Sequence, residues 1–158
     1  MELKDVLDKR IIRIGLEGRD KDDVLNKMSK LLYDSGYIDD VEAFVKDIYL
    51  REAQGVTGIG NGIAIPHGKS TSAKQPGIAI ATLSHPIEWE TLDEKDVDTV
   101  FLFCVSSDKN FERNHMLLLS KVAAKLADDD LLAKIRKVNS SEEMVAYLCG
   151  ENYECVDS

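Results

Sequence analysis

Several things are scarce in this chain, and each scarcity narrows what it can be. No apolar run approaches the roughly 18 residues that a membrane-spanning helix needs, so no membrane insertion is expected. The amino terminus is charged from Glu2 onward and lacks the apolar core of a signal peptide. Only three cysteines occur, an odd number without framework spacing, which argues against a disulfide scaffold. Basic residues are in deficit: 20 Lys and Arg face 29 Asp and Glu, a formal charge of −9. A nucleic-acid partner would want a basic face, so none is expected. The acidic balance suits plain solubility or a protein partner with a basic surface, because complementary potentials speed encounter. Internal repeats and low-complexity segments are missing too. The expectation is one cytoplasmic domain over 1–158, with a core over about 5–149 and a polar tail over 150–158.

What is present is a run of alternating element types. Gly77–Leu83 and Val100–Val105 are apolar along their length, as expected of strands covered on both faces. Ile11–Ile14 is a shorter β-prone run ending at Gly15. Asp20 reads as a helix N-cap with Asp23 at N3, followed by Val24, Leu25, Met28, Leu31 and Leu32 at helical spacing and by Gly36 as a stop. A second helix starts at Asp39 or Asp40, with Val41, Phe44, Val45 and Ile48 inward. It runs through Arg51-Glu52 and breaks near Gly55. Residues 69–76 read as a loop, Ser84-His85-Pro86 as a turn, and Ile87–Trp89 as a short strand. After a polar stretch over 106–114 come three helices. The first has its opening turn near His115 and bears Leu118, Leu119, Val122, Ala123 and Leu126. The second starts at Asp128 with Leu132 and Ile135 inward. The third starts at Ser140-Ser-Glu-Glu143, a capping-box match, with Met144, Val145 and Leu148 inward. This alternation predicts an α/β protein with helices on both faces of a sheet.

The densest local signal is Gly55–Ser70, a glycine-rich stretch leading into Ile63-Ala-Ile65, then Pro66 and His67. Gly58, Gly60 and Gly62 permit positive φ, and Pro66 holds Ile65 extended. The expected product is an imidazole at a strand's end, beside backbone N–H groups able to cradle an anion. Two nucleotide motifs fail on spacing. A P-loop needs glycine five places before the Gly-Lys-Ser glycine, and Ile63 stands there. The third glycine of a dinucleotide fingerprint counted from Gly58 and Gly60 would also fall on Ile63.

Chemistry therefore turns on the histidines. His85 lies in a turn between Ser84 and Pro86 and reads as a surface residue. His115 stands near a helix start, where partial positive charge lowers an imidazole's pKa and welcomes an anion. Each is alone compatible with a packed or hydrogen-bonded ring; facing one another, His67 and His115 could serve as nucleophile and hydrogen-bond donor. Arg51 outranks a helix dipole as a helper for a phosphorylated His67. A unit charge pair about 4 Å apart is worth roughly 4 kcal/mol at a dielectric of 20, against about 0.3–1 kcal/mol for a helix terminus. Its planar fork also suits phosphate oxygens better than Lys69 does. Cys104 reads as inert packing, Cys149 and Cys155 match no zinc pattern, and Asp128-Asp-Asp130 reads as a solvated helix start, so no metal is expected.

The run Leu50-Arg-Glu-Ala-Gln-Gly-Val-Thr-Gly-Ile-Gly-Asn-Gly-Ile-Ala-Ile-Pro-His-Gly-Lys-Ser70 resembles the active-site region of a known family. That family is the fructose/mannitol-type enzyme IIA domain of the bacterial phosphoenolpyruvate-dependent sugar phosphotransferase system. Phe101-Leu-Phe103 and His115–Leu126 extend the likeness over nearly the whole chain. The resemblance implies an α/β three-layer sandwich around a mixed sheet. It implies that His67 accepts phosphate from the phosphocarrier HPr and passes it to a cysteine of a IIB domain, which serves the membrane component IIC. It places the second active-site histidine on His115 and an arginine on Arg51, which would hold the phosphoryl oxygens; behind them, the backbone of the loop bearing Thr57, Gly58, Gly60, Asn61 and Gly62 is a secondary phosphoryl-binding candidate. No cofactor is implied. The chain looks like a stand-alone IIA, serving fructose or a related sugar or, alternatively, acting as a nitrogen-related regulatory module.

Overall fold

The computed structural model describes residues 3–107 and 112–150, with side chains from His115 onward in the second segment. Most of the polar stretch before His115, the tail after Gly150 and Cys155 lie outside the described residues. Among those described, six strands and five α-helices follow in the order β1 (Ile12–Leu16), α1 (Lys21–Asp34), α2 (Val41–Glu52), β2 (Gly58–Gly60), β3 (Ile63–Ala64), β4 (His67–Ser70), β5 (Gly77–Ile87), β6 (Val97–Ser106), α3 (Glu112–Leu126), α4 (Asp129–Arg136) and α5 (Ser141–Cys149). The strands form one sheet in the order β1-β5-β6-β3-β2, with β4 also on β6. β1 lies parallel to β5, β3 and β4 lie parallel to β6, and the β5–β6 and β2–β3 pairs are antiparallel. This is the expected mixed sheet.

Side-chain alternation sorts the core into two layers. Ile78, Ile80, Phe101, Phe103 and Val105 pack with Leu118, Val122, Leu132, Ile135, Met144 and Leu148 of α3, α4 and α5. Their neighbours Ala79, Ala81, Val100, Leu102 and Cys104 face the other way, against Val24, Leu25, Met28, Phe44 and Ile48 of α1 and α2. Period-two strands with both faces apolar thus build the three-layer sandwich. The helix starts fall where the sequence places them. The side chains of Asp20, Asp40, Asp128 and Ser140 each accept a backbone N–H of their first turn. Glu143 returns its carboxylate to the Asn139 N–H at 3.2 Å, one residue outside the ordinary capping box.

Three departures from the sequence reading bear on the site. First, β3 and β4 hold one register against β6: Ile63 pairs with Thr99, Ala64 with Val100 and His67 with Phe103. They read as a single parallel strand interrupted at Pro66, which has no N–H to give; its carbonyl instead accepts from Phe103 N at 2.9 Å. His67 therefore opens β4 instead of ending a strand, and Lys69 and Ser70 are strand residues, not loop. Second, β5 runs on through Ser84-His85-Pro86 to Ile87, with an irregularity between Thr82 and Ile87, so the expected turn is an exposed strand segment. Of the expected strand over 87–89 only Ile87 is strand, with Ile87 and Trp89 both buried. Third, the pairing of β1 shifts between Arg13 and Leu16, and the Gly15 N–H goes to Thr82 Oγ1 at 2.9 Å; Gly15 lies inside β1.

Glycine has two distinct duties near His67. Asn61 (φ 56) and Gly62 (φ 80) are the two central residues of the β2–β3 hairpin, and a type I′ turn requires positive φ at both. Gly68 instead supplies space: a Cβ there would overlap the Phe44 ring of α2. The missing side chain lets α2 lie against β4. Gly68→Ala is expected to destabilise the fold by about 1–3 kcal/mol, the usual range for overpacking. Urea unfolding reads this, and Phe44→Leu in the same chain should recover part of the loss. A Gly68→Ala protein as stable as its parent would contradict the close α2–β4 packing.

Candidate functional site

The parallel pairing of β4 with β6 sets His67 directly beside Phe103, and their rings stack with centroids 5.3 Å apart at 21°. His115, brought in by α3, stands edge-on to both rings. Its centroid is 5.0 Å from that of His67 at 78° and 5.4 Å from that of Phe103 at 87°. Lys69 follows His67 by two residues and so shares its face of β4. From the other side comes α2, held close by the Gly68–Phe44 contact. Together Asp47, Leu50, Arg51, Gln54, His67, Lys69 and His115 line a cavity of about 310 Å³. A larger cavity of about 510 Å³, lined among others by Lys4, Lys121, Lys125 and Cys149, lies between the amino terminus and α3, α4 and α5. Size does not choose between them; convergent imidazoles do.

The electrostatics of the cavity favour uncharged rings. Burial is the main reason the His67 pKa falls from 6.5 to about 4, with the charges of His115 and Arg51 adding to it and the Ile65 carbonyl partly opposing. His115 is lowered too, first by burial and then by Lys69. Near neutral pH both rings hold a free lone pair, as an attacking nitrogen must. Nδ1 of each ring is buried and makes no hydrogen bond of full geometry, so Nδ1 is screened from a reactant on both rings. Arg51 is aimed by a bond from its Nη1 to the Gly55 carbonyl at 3.0 Å.

The structure thus brings His67, His115 and Arg51 to one cavity and places the glycine loop elsewhere. None of Thr57, Gly58, Gly60, Asn61 or Gly62 lines that cavity. The Thr57 hydroxyl donates to Glu52 Oε2 at 2.6 Å, and the Asn61 N–H donates to Asp93 Oδ2 at 3.0 Å. The hairpin does hold an anion with its backbone, but the anion is the chain's own carboxylate. His85 is exposed near the end of β5, away from the two imidazoles. Cys104 is buried, which pushes its thiol up to about 12, and burial raises Cys149 as well. Among the described residues no group of three or more His, Cys, Asp or Glu could hold a metal ion. Nor is any of their helices long and apolar enough to cross a membrane.

Lys69, second to Arg51 on fork geometry, also lines the cavity, as do Asp47, Leu50 and Gln54, to which the sequence alone assigns no role. The signal for the last three was there: 47, 50, 51 and 54 recur at i, i+3, i+4 and i+7, a second stripe beside the buried one of α2.

Fold and site define a two-histidine α/β sandwich, and comparison with known proteins supplies its family. The family model "Phosphoenolpyruvate-dependent sugar phosphotransferase system, EIIA 2" matches residues 5–150. The chain belongs to this family of phosphotransfer components. It is 33% identical over 129 residues, 81% of its length, to the "PTS system 2-O-alpha-mannosyl-D-glycerate-specific EIIABC component" of Escherichia coli K12, of which it covers 20%. It spans about a fifth of that relative and of the next, a fructose-specific EIIABC component of Bacillus subtilis. It is 32% identical to the "Nitrogen regulatory protein" of Klebsiella oxytoca, over 98% of this chain and 95% of that one. Among solved structures, nitrogen regulatory protein IIA-Ntr from Neisseria meningitidis superposes with a TM-score of 0.83 at 27% identity, covering 92% and 97% of the two chains.

Burying an uncharged His67 has a consequence for stability. Below pH 6.5 the unfolded chain takes up a proton that the folded chain refuses until about pH 4. The folded state is therefore penalised progressively as pH falls through that window, by on the order of 3 kcal/mol when complete. His67→Gln removes the titration. The parent should lose stability more steeply than His67→Gln between pH 6.5 and 4 in urea unfolding. Parallel pH profiles would show that His67 titrates alike in both states.

Proposed function

We propose that this chain is a phosphoryl carrier that accepts phosphate from phospho-HPr on His67 Nε2. The observation that carries the proposal is the 5.0 Å edge-on pair of His67 and His115 in one cavity with Arg51 and Lys69. The lone pair of Nε2 attacks phosphorus as the donor's P–N bond breaks in line, and the electrons of that bond return to the donor ring. Catalysis of such a transfer is mainly positioning and charge stabilisation. Burial keeps His67 unprotonated and ready to attack. Arg51, Lys69 and the His115 ring then face the negative oxygens of the incoming group. In the second transfer a cysteine thiolate of a IIB domain attacks phosphorus, and the N–P electrons return to His67. IIB in turn serves the membrane component IIC, so this chain meets the membrane only through its partners. The site is proposed to need no cofactor, and the reaction belongs in the cytoplasm.

The reading that follows from the glycine-loop wording is uptake of fructose or a related sugar. A regulatory role, acting by phosphorylation-dependent binding to other proteins, is favoured by a specific observation: the nitrogen regulatory relative matches end to end, at 98% and 95% coverage. Transfer from phospho-His67 to a fructose-type IIB cysteine would support uptake. Acceptance of phosphate with no onward transfer to any IIB domain of the same genome would support regulation.

The test of the carrier itself is incubation with phosphoenolpyruvate, enzyme I and HPr, followed by mapping of acid-labile phosphate by mass spectrometry. Label is expected on His67 and is abolished in His67→Ala; label retained on another residue refutes the assignment. His115→Ala should remain folded and accept phosphate on the order of 10²-fold more slowly, as for loss of a positioned donor in a buried site. An unchanged rate would reduce His115 to packing.

A further inference from the structure

Glu52, next to Arg51 in the chain, has no part in the scheme above, yet its carboxylate is only 7% exposed. Oε1 meets Lys21 Nζ of α1 at 2.6 Å, and Oε2 accepts from the Thr57 hydroxyl at 2.6 Å. The Thr57 hydroxyl in turn lies 3.4 Å from Trp89 Nε1, and Lys21 stands over the Trp89 ring, 5.0 Å from its centroid. The Thr57 carbonyl receives the Ile65 N–H at 2.8 Å, two residues before His67. Glu52 and Thr57 thus close the loop over 53–56. Within that loop lies Gly55, whose carbonyl aims the Arg51 guanidinium.

We propose that Glu52 is a positioning residue for phosphoryl transfer, whose bridge from Lys21 to Thr57 sets the spacing between the Arg51 guanidinium and the His67 ring. One carboxylate ties down both ends of the catalytic pair. Arg51 is its neighbour at the end of α2, and His67 follows through Thr57 and Ile65. A charged bridge of this kind is directional, and an apolar contact in its place would leave the loop free to slide. Thr57, counted from the sequence among the phosphoryl-binding loop residues, acts in this account through the bond of its hydroxyl to Glu52.

The inference rests on the carrier reading for its kinetic consequence but not for its geometric one, so two measurements separate them. Thr57→Val keeps shape and removes the bond, and Thr57→Ser restores it. Glu52→Gln serves as a second variant, keeping an acceptor for Thr57 while removing the charge that Lys21 meets. The first measurement is the single-turnover rate of phosphate acceptance against phospho-HPr concentration. Thr57→Val is expected to lower the saturating rate roughly tenfold to a hundredfold, as small misplacements do. The half-saturating concentration should change less than twofold, and Thr57→Ser should recover the rate. The second is the NMR titration of His67, which needs no partner. Moving Arg51 away removes one cause of the low pKa, so His67 in Thr57→Val and Glu52→Gln should titrate higher than in the parent. Folded variants whose His67 titration is unmoved overturn the inference even if the parent carries phosphate. A parent that accepts no phosphate while His67 still shifts in the variants refutes the carrier reading and leaves the positioning intact.

Discussion

An imidazole nitrogen attacks only when it holds a free lone pair, and the surroundings of His67 serve that requirement. Keeping the ring uncharged means taking it out of water, which the fold does with a stacked Phe103 and an edge-on His115. The cost falls on stability at acid pH, where the unfolded chain takes the proton that the buried ring cannot. The same positive neighbours that discourage protonation of the empty ring are those that would face a phosphoryl dianion. Arg51 and Lys69 therefore act in one direction throughout: against a proton on His67 or His115, and for a negative group between them.

Everything else in the neighbourhood concerns distance. The interruption at Pro66 keeps β3 and β4 in one register on β6, so His67 meets Phe103. Gly68 lets Phe44 and the whole of α2 come close, and the end of α2 delivers Arg51. The hairpin turn at Asn61-Gly62 sends the chain back so that Ile65 can bond Thr57, and the Lys21–Glu52–Thr57 chain fixes the corner. A helix, a hairpin and a strand that follow one another in the chain are tied at their junctions by short directional bonds. Apolar packing, which tolerates sliding, fills the two layers behind them.

Much of this was readable in the residues before any coordinates. The cap aspartates at 20, 40 and 128, the serine at 140 and the two long buried strands follow from local rules, because a short side chain bonds its own first turn whatever lies beyond. Three of the side chains that the cavity gathers, His67 from β4, His115 from α3 and Arg51 from α2, were also named from sequence, partly through the family resemblance. What stayed hidden was direction. Glycine density at 55–62 says that the backbone turns tightly, not which way its N–H groups face; Asn61 turned out to face Asp93. Lys69 looked like a loop residue because Gly-Lys-Ser is polar, and only its pairing with Val105 shows it to be on the face that bears His67. Glu52 gave no signal, since a carboxylate at a helix end reads as solvated until its distant partners Lys21 and Thr57 are known.

The most direct test of the central claim is a long-range ¹H–¹⁵N NMR titration of the imidazoles, repeated after exposure to phospho-HPr. The account requires that His67 stay uncharged well below pH 6.5, with a midpoint about 4, and that phosphorus become bonded to its Nε2. A His67 ring that titrates near 6.5 with both nitrogens unmodified after that exposure would contradict it.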